Sequence, residues 1–190
     1  MRLLAGLSWA LVLWVPTLGA QRAQRLAVAK HVNELALAGM RPGRSTVTNA
    51  PVRHTELVKG GRGESEYHWD NVCRHETLTV ATQADGKVSE VRVSKLPARG
   101  TDCTDGLPAS RWRTSHGLGV YDSAARAVEI YGEPNSRSPS SRDGQRLELL
   151  YYAFDWAGPD VPQVMEVLCT VEQGGKSGRI VEITLAASSL

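Results

Sequence analysis

The segment from Gly117 to Leu185 contains the strongest folding signals in this chain, because a helix start, a helix stop and three strand-like runs follow one another there. Asp122 or Ser123 can accept hydrogen bonds from the first free amides of a helix. Apolar residues then recur at spacings of three and four positions as far as Tyr131, which is typical of one helix face. Gly132 ends the pattern, since glycine readily adopts the left-handed conformation that follows a helix. The sequence therefore predicts one short helix at the start of this segment.

Three runs with a two-residue period follow the predicted helix. Residues 146–154 alternate so that both sides of a strand would be apolar or aromatic, and 165–171 and 180–185 also alternate. The glycine-rich residues 173–178 are typical of a hairpin connection between the last two runs. One helix and three antiparallel strands are too small to bury a core alone, so we expect a second unit to pack with them.

The preceding part of the chain shows a weaker version of the same order, beginning at Gly39. Pro51 falls inside the helix expected in this half, where it would remove a backbone hydrogen bond, so we expect that helix to be short or broken. Alternating residues and turn signals then predict three further strands. These runs are 66–73, 75–82 and 87–94, with a turn at 84–86 between the last two.

The two halves together predict an α+β fold of two tandem helix-plus-antiparallel-sheet modules that close over each other. The apolar spacing at 21–38 also predicts an N-terminal helix, and a frayed terminal tail is the alternative. Breaker residues such as Pro97 and Gly106 indicate a linker between the modules. The predicted organisation is a signal peptide at 1–20, the N-terminal helix at 21–38, a first module at 39–94, a linker at 95–116 and a second module at 117–190.

The N-terminal residues have the three zones of a secretory signal peptide. Arg2 is followed by an apolar run at 3–15, and the small residues that end at Ala20 are typical of a cleavage site. The run is short for a membrane span, and Pro16 closes it. We therefore expect a periplasmic or secreted protein with no stable membrane insertion after cleavage. A retained N-terminal anchor is the alternative.

Three cysteines remain after the predicted cleavage, and export would permit a disulfide. Cys103 lies in the irregular linker and Cys73 at the edge of a strand, so we predict a bond between these two. Cys169 lies within an alternating apolar run and is predicted to be a buried free thiol. Closing the loop of roughly 30 residues would stabilise the fold by about 3 to 4 kcal/mol on the chain-entropy model. Three unpaired thiols are the alternative.

A helical segment that opens on Gly117 and ends at Tyr131, Gly132 and Pro134, followed by antiparallel strands, resembles the small exported modules of the β-lactamase inhibitory protein. The small lipoprotein of the outer-membrane barrel-assembly machinery has a similar module. The resemblance covers residues 39–187 and implies two tandem modules with a concave antiparallel sheet backed by helices, used for protein contact and not for catalysis. The chain lacks the lipidated cysteine of the lipoprotein members, and Pro51 departs from a regular tandem.

Aromatic residues around the end of the 146–154 run are the most prominent candidates for a binding surface. Aromatic side chains contribute much interface area at a low entropic cost, and the prolines that follow would stiffen the loop. In the alternative interpretation, Tyr152 and Phe154 fill the core and Trp156 only covers a loop. The predicted partner-binding residues are Trp69, Asp70, Tyr152, Phe154, Asp155 and Trp156.

His68, Asp70 and His75 are the candidates for a metal or catalytic site, because His68 and Asp70 would project from the same face of a strand. A metal site needs three or four converging donors, and no other part of the chain has a recognised ligand spacing. We also find no combination of nucleophile, base and oxyanion donor. We therefore expect no metal, no cofactor and no enzymatic activity. A small exported hydrolase or metal-binding protein that uses these three residues is the alternative hypothesis.

The charge of the chain is nearly balanced, with 22 basic and 20 acidic residues spread along it, and this does not indicate a nucleic-acid-binding surface. The sequence therefore predicts an exported, non-enzymatic protein-binding module, either inhibitor-like or an envelope accessory. Its expected partner is another exported or envelope protein, bound through an aromatic-bearing antiparallel sheet and loop.

Overall fold

Eight antiparallel strands form one continuous sheet in the computed structural model, which describes residues 32–49, 56–59, 65–71, 73–96, 112–154 and 163–187. The predicted signal peptide, Pro51, Cys103, Asp155 and Trp156 lie outside the described residues. The strands are β1 Glu56–Lys59, β2 Ser65–Asn71, β3 Glu76–Thr82, β4 Val88–Lys95, β5 Ser136–Arg142, β6 Gln145–Phe154, β7 Gln163–Val171 and β8 Ser177–Ala187.

The strand order shows how the two halves of the chain meet. The order is β1-β2-β3-β4-β8-β7-β6-β5, so each half supplies four consecutive strands and the last strands of the two halves pair with each other. In that pairing Val91 lies opposite Leu185, and Val93 lies opposite Ile183. The predicted fold of two separate modules that close over each other is therefore wrong. Edge-to-edge pairing satisfies the backbone groups of β4 and β8 and merges the apolar faces of both halves into one.

The helix predicted in the second half is confirmed as α1, Ala124–Tyr131. Ser123 is its N-cap, and the Ser123 hydroxyl accepts a 3.2 Å hydrogen bond from the backbone N–H of Arg126. Gly132 follows the helix with a φ of 82°, a value that a residue with a Cβ rarely adopts. In the corresponding place of the first half, the described residues end in a three-residue 3₁₀ turn, Val47–Asn49. Pro51 lies outside them, so the short or broken helix expected there stays a prediction.

The N-terminal helix predicted at 21–38 is wrong for its described part. Residues 32–36 are not helical, and Leu37 forms β-bridges with Met40 and Thr114. The backbone N–H of Ala38 donates to the carbonyl of Arg113 at 3.0 Å. This segment therefore lies extended against residues 112–118, where its backbone groups find partners without forming a helix.

The core lies on one face of the sheet. Residues from α1, the N-terminal segment and residues 112–120 pack there against alternate residues of the strands. The ring of Tyr131 on α1 lies 5.8 Å from that of Tyr152 and 6.2 Å from that of Phe154, centroid to centroid. The fold thus has two layers. Two helices were predicted to cover the sheet, but α1 packs there together with the irregular N-terminal segment and residues 112–120.

Candidate functional site

The sheet has two unlike faces, because neighbouring residues of a strand point to opposite sides. On β6, Leu150, Tyr152 and Phe154 point into the core, and on β7, Met165 and Val167 do the same. The alternate residues form what we call the open face, whose side chains are mostly half-buried or exposed. Representative members are Asp70 on β2, Arg92 on β4, Tyr151 on β6, Glu166 on β7 and Glu182 on β8.

An ion pair between distant strands shows that the open face is concave. Arg142, at the end of the edge strand β5, donates from both terminal nitrogens to the Glu182 carboxylate on β8, at 2.8 and 3.0 Å. Strands β6 and β7 separate β5 from β8, so this contact requires the β5–β6 hairpin to bend toward the open face. The hydrogen bonds to Glu182 raise the pKa of Arg142.

Under the bent hairpin lies a crevice of about 230 Å³. Leu147 belongs to its lining and is only 3% exposed although it lies outside the main core cluster. Leu168 on the neighbouring strand is similarly buried at 6% exposure. The bend therefore shelters apolar residues on the open face as well as shaping it.

A second ion pair occupies the centre of the open face. Arg92 on β4 donates to Glu90 of the same strand at 2.5 Å, and its Nε lies 4.0 Å from Glu182. In the strand register, one continuous row of open-face residues passes through Arg92. The row consists of Tyr151, Glu166, Thr184, Arg92, Thr79 and His68.

The structure separates the predicted partner-binding residues into three groups. Trp69, Tyr152 and Phe154 are 6%, 0% and 2% exposed and belong to the core, so they present no surface to a partner in this conformation. Asp70 is exposed on the open face, where it accepts a 2.7 Å hydrogen bond from Thr77. Asp155 and Trp156 lie outside the described residues, and their predicted role stays a prediction.

The candidate metal or hydrolase residues do not converge. His68 lies on the open face, with Nδ1 3.1 Å from the Thr79 hydroxyl and Nε2 2.7 Å from Glu66. His75 lies in the β2–β3 turn with a φ of 53°, and its carbonyl accepts a 2.8 Å hydrogen bond from Tyr121. Within the part of the chain that the structure describes, no three His, Cys, Asp or Glu residues are grouped to hold a metal ion.

A buried carboxylate that the sequence did not reveal joins three segments of the chain. Glu34 is fully buried, and its carboxylate accepts hydrogen bonds from the Tyr131 hydroxyl at 2.5 Å and from the Ser115 hydroxyl and amide. His116 Nδ1 lies 2.9 Å from the same carboxylate, and the amides of Leu35 and Ala36 donate to it at 3.0 Å. We call Glu34, Ser115, His116 and Tyr131 the Glu34 cluster. It fixes the N-terminal segment to residues 114–116 and to α1.

The electrostatics of this cluster follow from burial and hydrogen bonding. Burial raises the pKa of Glu34, but hydrogen bonds from Ser115, Tyr131 and His116 outweigh it, so the pKa lies below its usual range. Burial and the nearby Glu34 carboxylate raise the pKa of Tyr131. His116 presents the same atom, Nδ1, to the Glu34 carboxylate at 2.9 Å and to the Ser115 hydroxyl at 3.4 Å. In a nucleophile–base pair oriented by a carboxylate, the serine contacts Nε2 and the carboxylate contacts Nδ1. The arrangement is that of a structural anchor.

The two cysteines in the described ranges are one buried and one half-buried thiol. Cys169 on β7 is fully buried and free, and desolvation raises its pKa to about 12. Cys73 is a half-buried free thiol, and its predicted partner Cys103 lies outside the described residues. The predicted disulfide therefore stays a prediction.

Comparisons with known proteins do not place the chain in a family. No protein family matches the sequence, and no curated protein matches it. A solved structure with partial similarity is a cysteine-rich secretory protein from Staphylococcus aureus, which is 11% identical and aligns with a TM-score of 0.36. The alignment covers 70% of this chain and 39% of that protein, and similarity at this level supports no functional argument. No helix in the described ranges is long and apolar enough to span a membrane.

Proposed function

We propose that this chain is an exported, non-enzymatic protein that binds another exported or envelope protein through the open face of its sheet. The observation that carries the proposal is the contrast between the two faces. One face is covered by α1 and the segments around it, while the other is concave and bears half-buried or exposed side chains. A broad concave surface can enclose a protruding part of a partner and exclude water from the contact.

The residue types on the open face support protein contact. Tyrosine and arginine are enriched among the residues that dominate binding energies, and Tyr151, Arg92 and Arg142 are all on this face. The half-buried Leu149 and Val164 add apolar area beside Tyr151. The existing ion pairs also hold the arginine side chains in place, which lowers the entropy that a partner must remove on binding.

The edge strands are less suited to contact than the open face. β5 is Ser136–Arg142 with Pro139 in its middle, and proline cannot donate a backbone hydrogen bond to an added strand. β1, at the other edge, is only four residues long. Such features protect sheet edges from pairing with other chains, so we propose that the partner contacts side chains of the open face and not backbone at an edge.

The proposal is tested by capturing partners from an envelope extract of the source organism with a variant that obstructs the open face. Ser94 lies between Thr77 and Glu182 on this face and is half-buried, so Ser94→Arg introduces a long side chain there. Glu129→Arg, on the exposed side of α1, is the matched control. We expect a protein that the parent and the control retain to be reduced at least about tenfold with Ser94→Arg, a loss of about 1.4 kcal/mol. Equal recovery with all three proteins would contradict the proposal.

A further inference from the structure

The open face has a charge opposite in sign to that of the whole chain. The chain carries a formal net charge of +2 with histidines neutral. The open-face carboxylates are Glu66, Asp70, Glu90, Glu166 and Glu182. Against these stand two guanidiniums, from Arg92 and Arg142, and the charges of Lys95 and Asp143 beside the crevice cancel. The described side chains therefore give the face a net charge of −3. A surface of this sign attracts a basic partner.

Most of these carboxylates already have a nearby cation or a histidine. Glu182 binds Arg142, Glu90 binds Arg92, and Glu66 lies beside His68. Asp70 has no such cation, but it already accepts a hydrogen bond from Thr77. Glu166 is exposed, and no lysine, arginine or histidine among the described residues lies within 4 Å of it. It is therefore available to a cation from outside the chain.

The neighbour of Glu166 suits the same cation. Tyr151 lies directly opposite Glu166 on the adjacent strand, which places the two Cβ atoms about 4.5 to 5.5 Å apart. A tyrosine ring attracts an ammonium or guanidinium group over its face, and the carboxylate beside it adds a charge-assisted hydrogen bond. Val164 and Leu149 flank the pair on the same face and could contact the aliphatic stem of a lysine or arginine.

We infer that Tyr151 and Glu166 form the anchoring pair for a lysine or arginine side chain of the bound protein. This inference rests on the proposed function and specifies the chemistry of the partner, which presents a basic protrusion to the open face. Binding at this pair is weakened by salt, because it depends on exposed charges.

The test uses a hexalysine peptide as the probe and a hexaglutamate peptide as its reverse-charge counterpart. Two-dimensional amide NMR of the isotope-labelled protein reports both the affinity and the location of binding. We expect hexalysine to shift signals around Tyr151 and Glu166, and Glu166→Gln to raise the dissociation constant about three- to fivefold, the effect of one exposed ion pair. Tyr151→Leu should weaken binding to a similar degree, and Glu129→Gln on α1 should leave it unchanged. The dispersion of each variant's spectrum shows that it is folded.

Three results would overturn the inference. Shifts that centre on other acidic residues, or that persist equally in Glu166→Gln, would remove the anchoring role of this pair. Preferential binding of hexaglutamate would assign the face to an acidic partner instead. The capture experiment with Ser94→Arg does not depend on Glu166, so loss of capture together with an unchanged Glu166→Gln titration would reject the anchor and leave the proposed function standing.

Discussion

The Tyr131 hydroxyl donates a 2.5 Å hydrogen bond to the carboxylate of Glu34, a residue 97 positions earlier in the chain. Glu34 lies in the N-terminal segment and Tyr131 in the last turn of α1, so this bond ties the beginning of the described chain to the helix that covers the core. Because both side chains are fully or almost fully buried, neither can replace the other with water.

Replacing Glu34 should therefore be costly. In Glu34→Ala the Ser115 hydroxyl and amide lose their acceptor, and the buried Tyr131 hydroxyl loses a charged acceptor while it keeps its 2.7 Å contact with Thr114 Oγ1. We expect the free energy of unfolding to fall by about 3 kcal/mol. Urea denaturation measures this change. Glu129→Ala, at an exposed position of α1, is the control and should alter stability by less than about 0.5 kcal/mol. Equal stability of the two variants would show that the cluster does not hold the fold together.

Acid should weaken the same cluster. The pKa of Glu34 in the folded protein lies below the ordinary value of 4.5, so its contribution to stability is present above that value and is lost as pH falls through the folded-state pKa. We expect the parent to lose more stability than Glu34→Gln between about pH 5 and pH 3. Parallel stability profiles for the two proteins over this range would contradict the lowered pKa of Glu34 in the folded protein.

Glu76 should respond to pH in the opposite direction. It is 3% exposed, its Oε2 has no hydrogen-bond partner among the described residues, and Arg74 Nε lies 3.6 Å from Oε1. Desolvation raises its pKa above the ordinary value, so its favourable contribution is present below that value and is lost as pH rises toward the folded-state pKa. Above pH 5 we expect Glu76→Gln to flatten the pH profile of unfolding free energy. Identical profiles for Glu76→Gln and the parent would show that burial of Glu76 does not cause this pH dependence.

The cysteines should differ in reactivity. Cys169 is fully buried and its pKa is raised to about 12, so it should not react with iodoacetamide at pH 8 until the protein unfolds. Mass spectrometry of peptides from the folded and the urea-unfolded protein measures the modification. The same peptides, prepared without reduction from exported protein, test whether Cys73 is bonded to Cys103. Rapid modification of Cys169 in the folded protein would contradict its position in the core.

The sequence predicted local elements better than their assembly. The alternation at 146–154, 165–171 and 180–185 and the stop at Gly132 correspond to β6, β7, β8 and the end of α1, because these signals depend on near neighbours in the chain. β5 was missed, since its serines, arginines and proline resemble a loop. The sequence feature that predicts this strand is the dipeptide Asp143-Gly144, a preferred two-residue hairpin turn. In the structure its φ values are 51° and 76°.

Contacts between distant parts of the chain have no such local signal in the sequence. Pairing of β4 with β8 depends on which strand edges remain free, and an alternating pattern is the same for edge-to-edge and face-to-face packing. The Glu34 cluster joins residues that are far apart in sequence, and nothing around Glu34 marks it as buried. Tyr152 and Phe154 were predicted as binding residues because aromatic side chains contribute much interface area. Both sides of β6 are apolar, so the pattern does not show which side faces the core, and Tyr151 is the aromatic residue on the open face.

The central claim is that the open face contacts a partner, and site-specific photo-crosslinking tests it most directly. p-Benzoylphenylalanine replaces Tyr151 in one protein and Glu129 in another, and both are irradiated in the envelope extract. We predict a discrete crosslinked product from position 151 that is absent from position 129 and disappears when Ser94→Arg is added. No product from position 151, or the same product from both positions, would contradict the account.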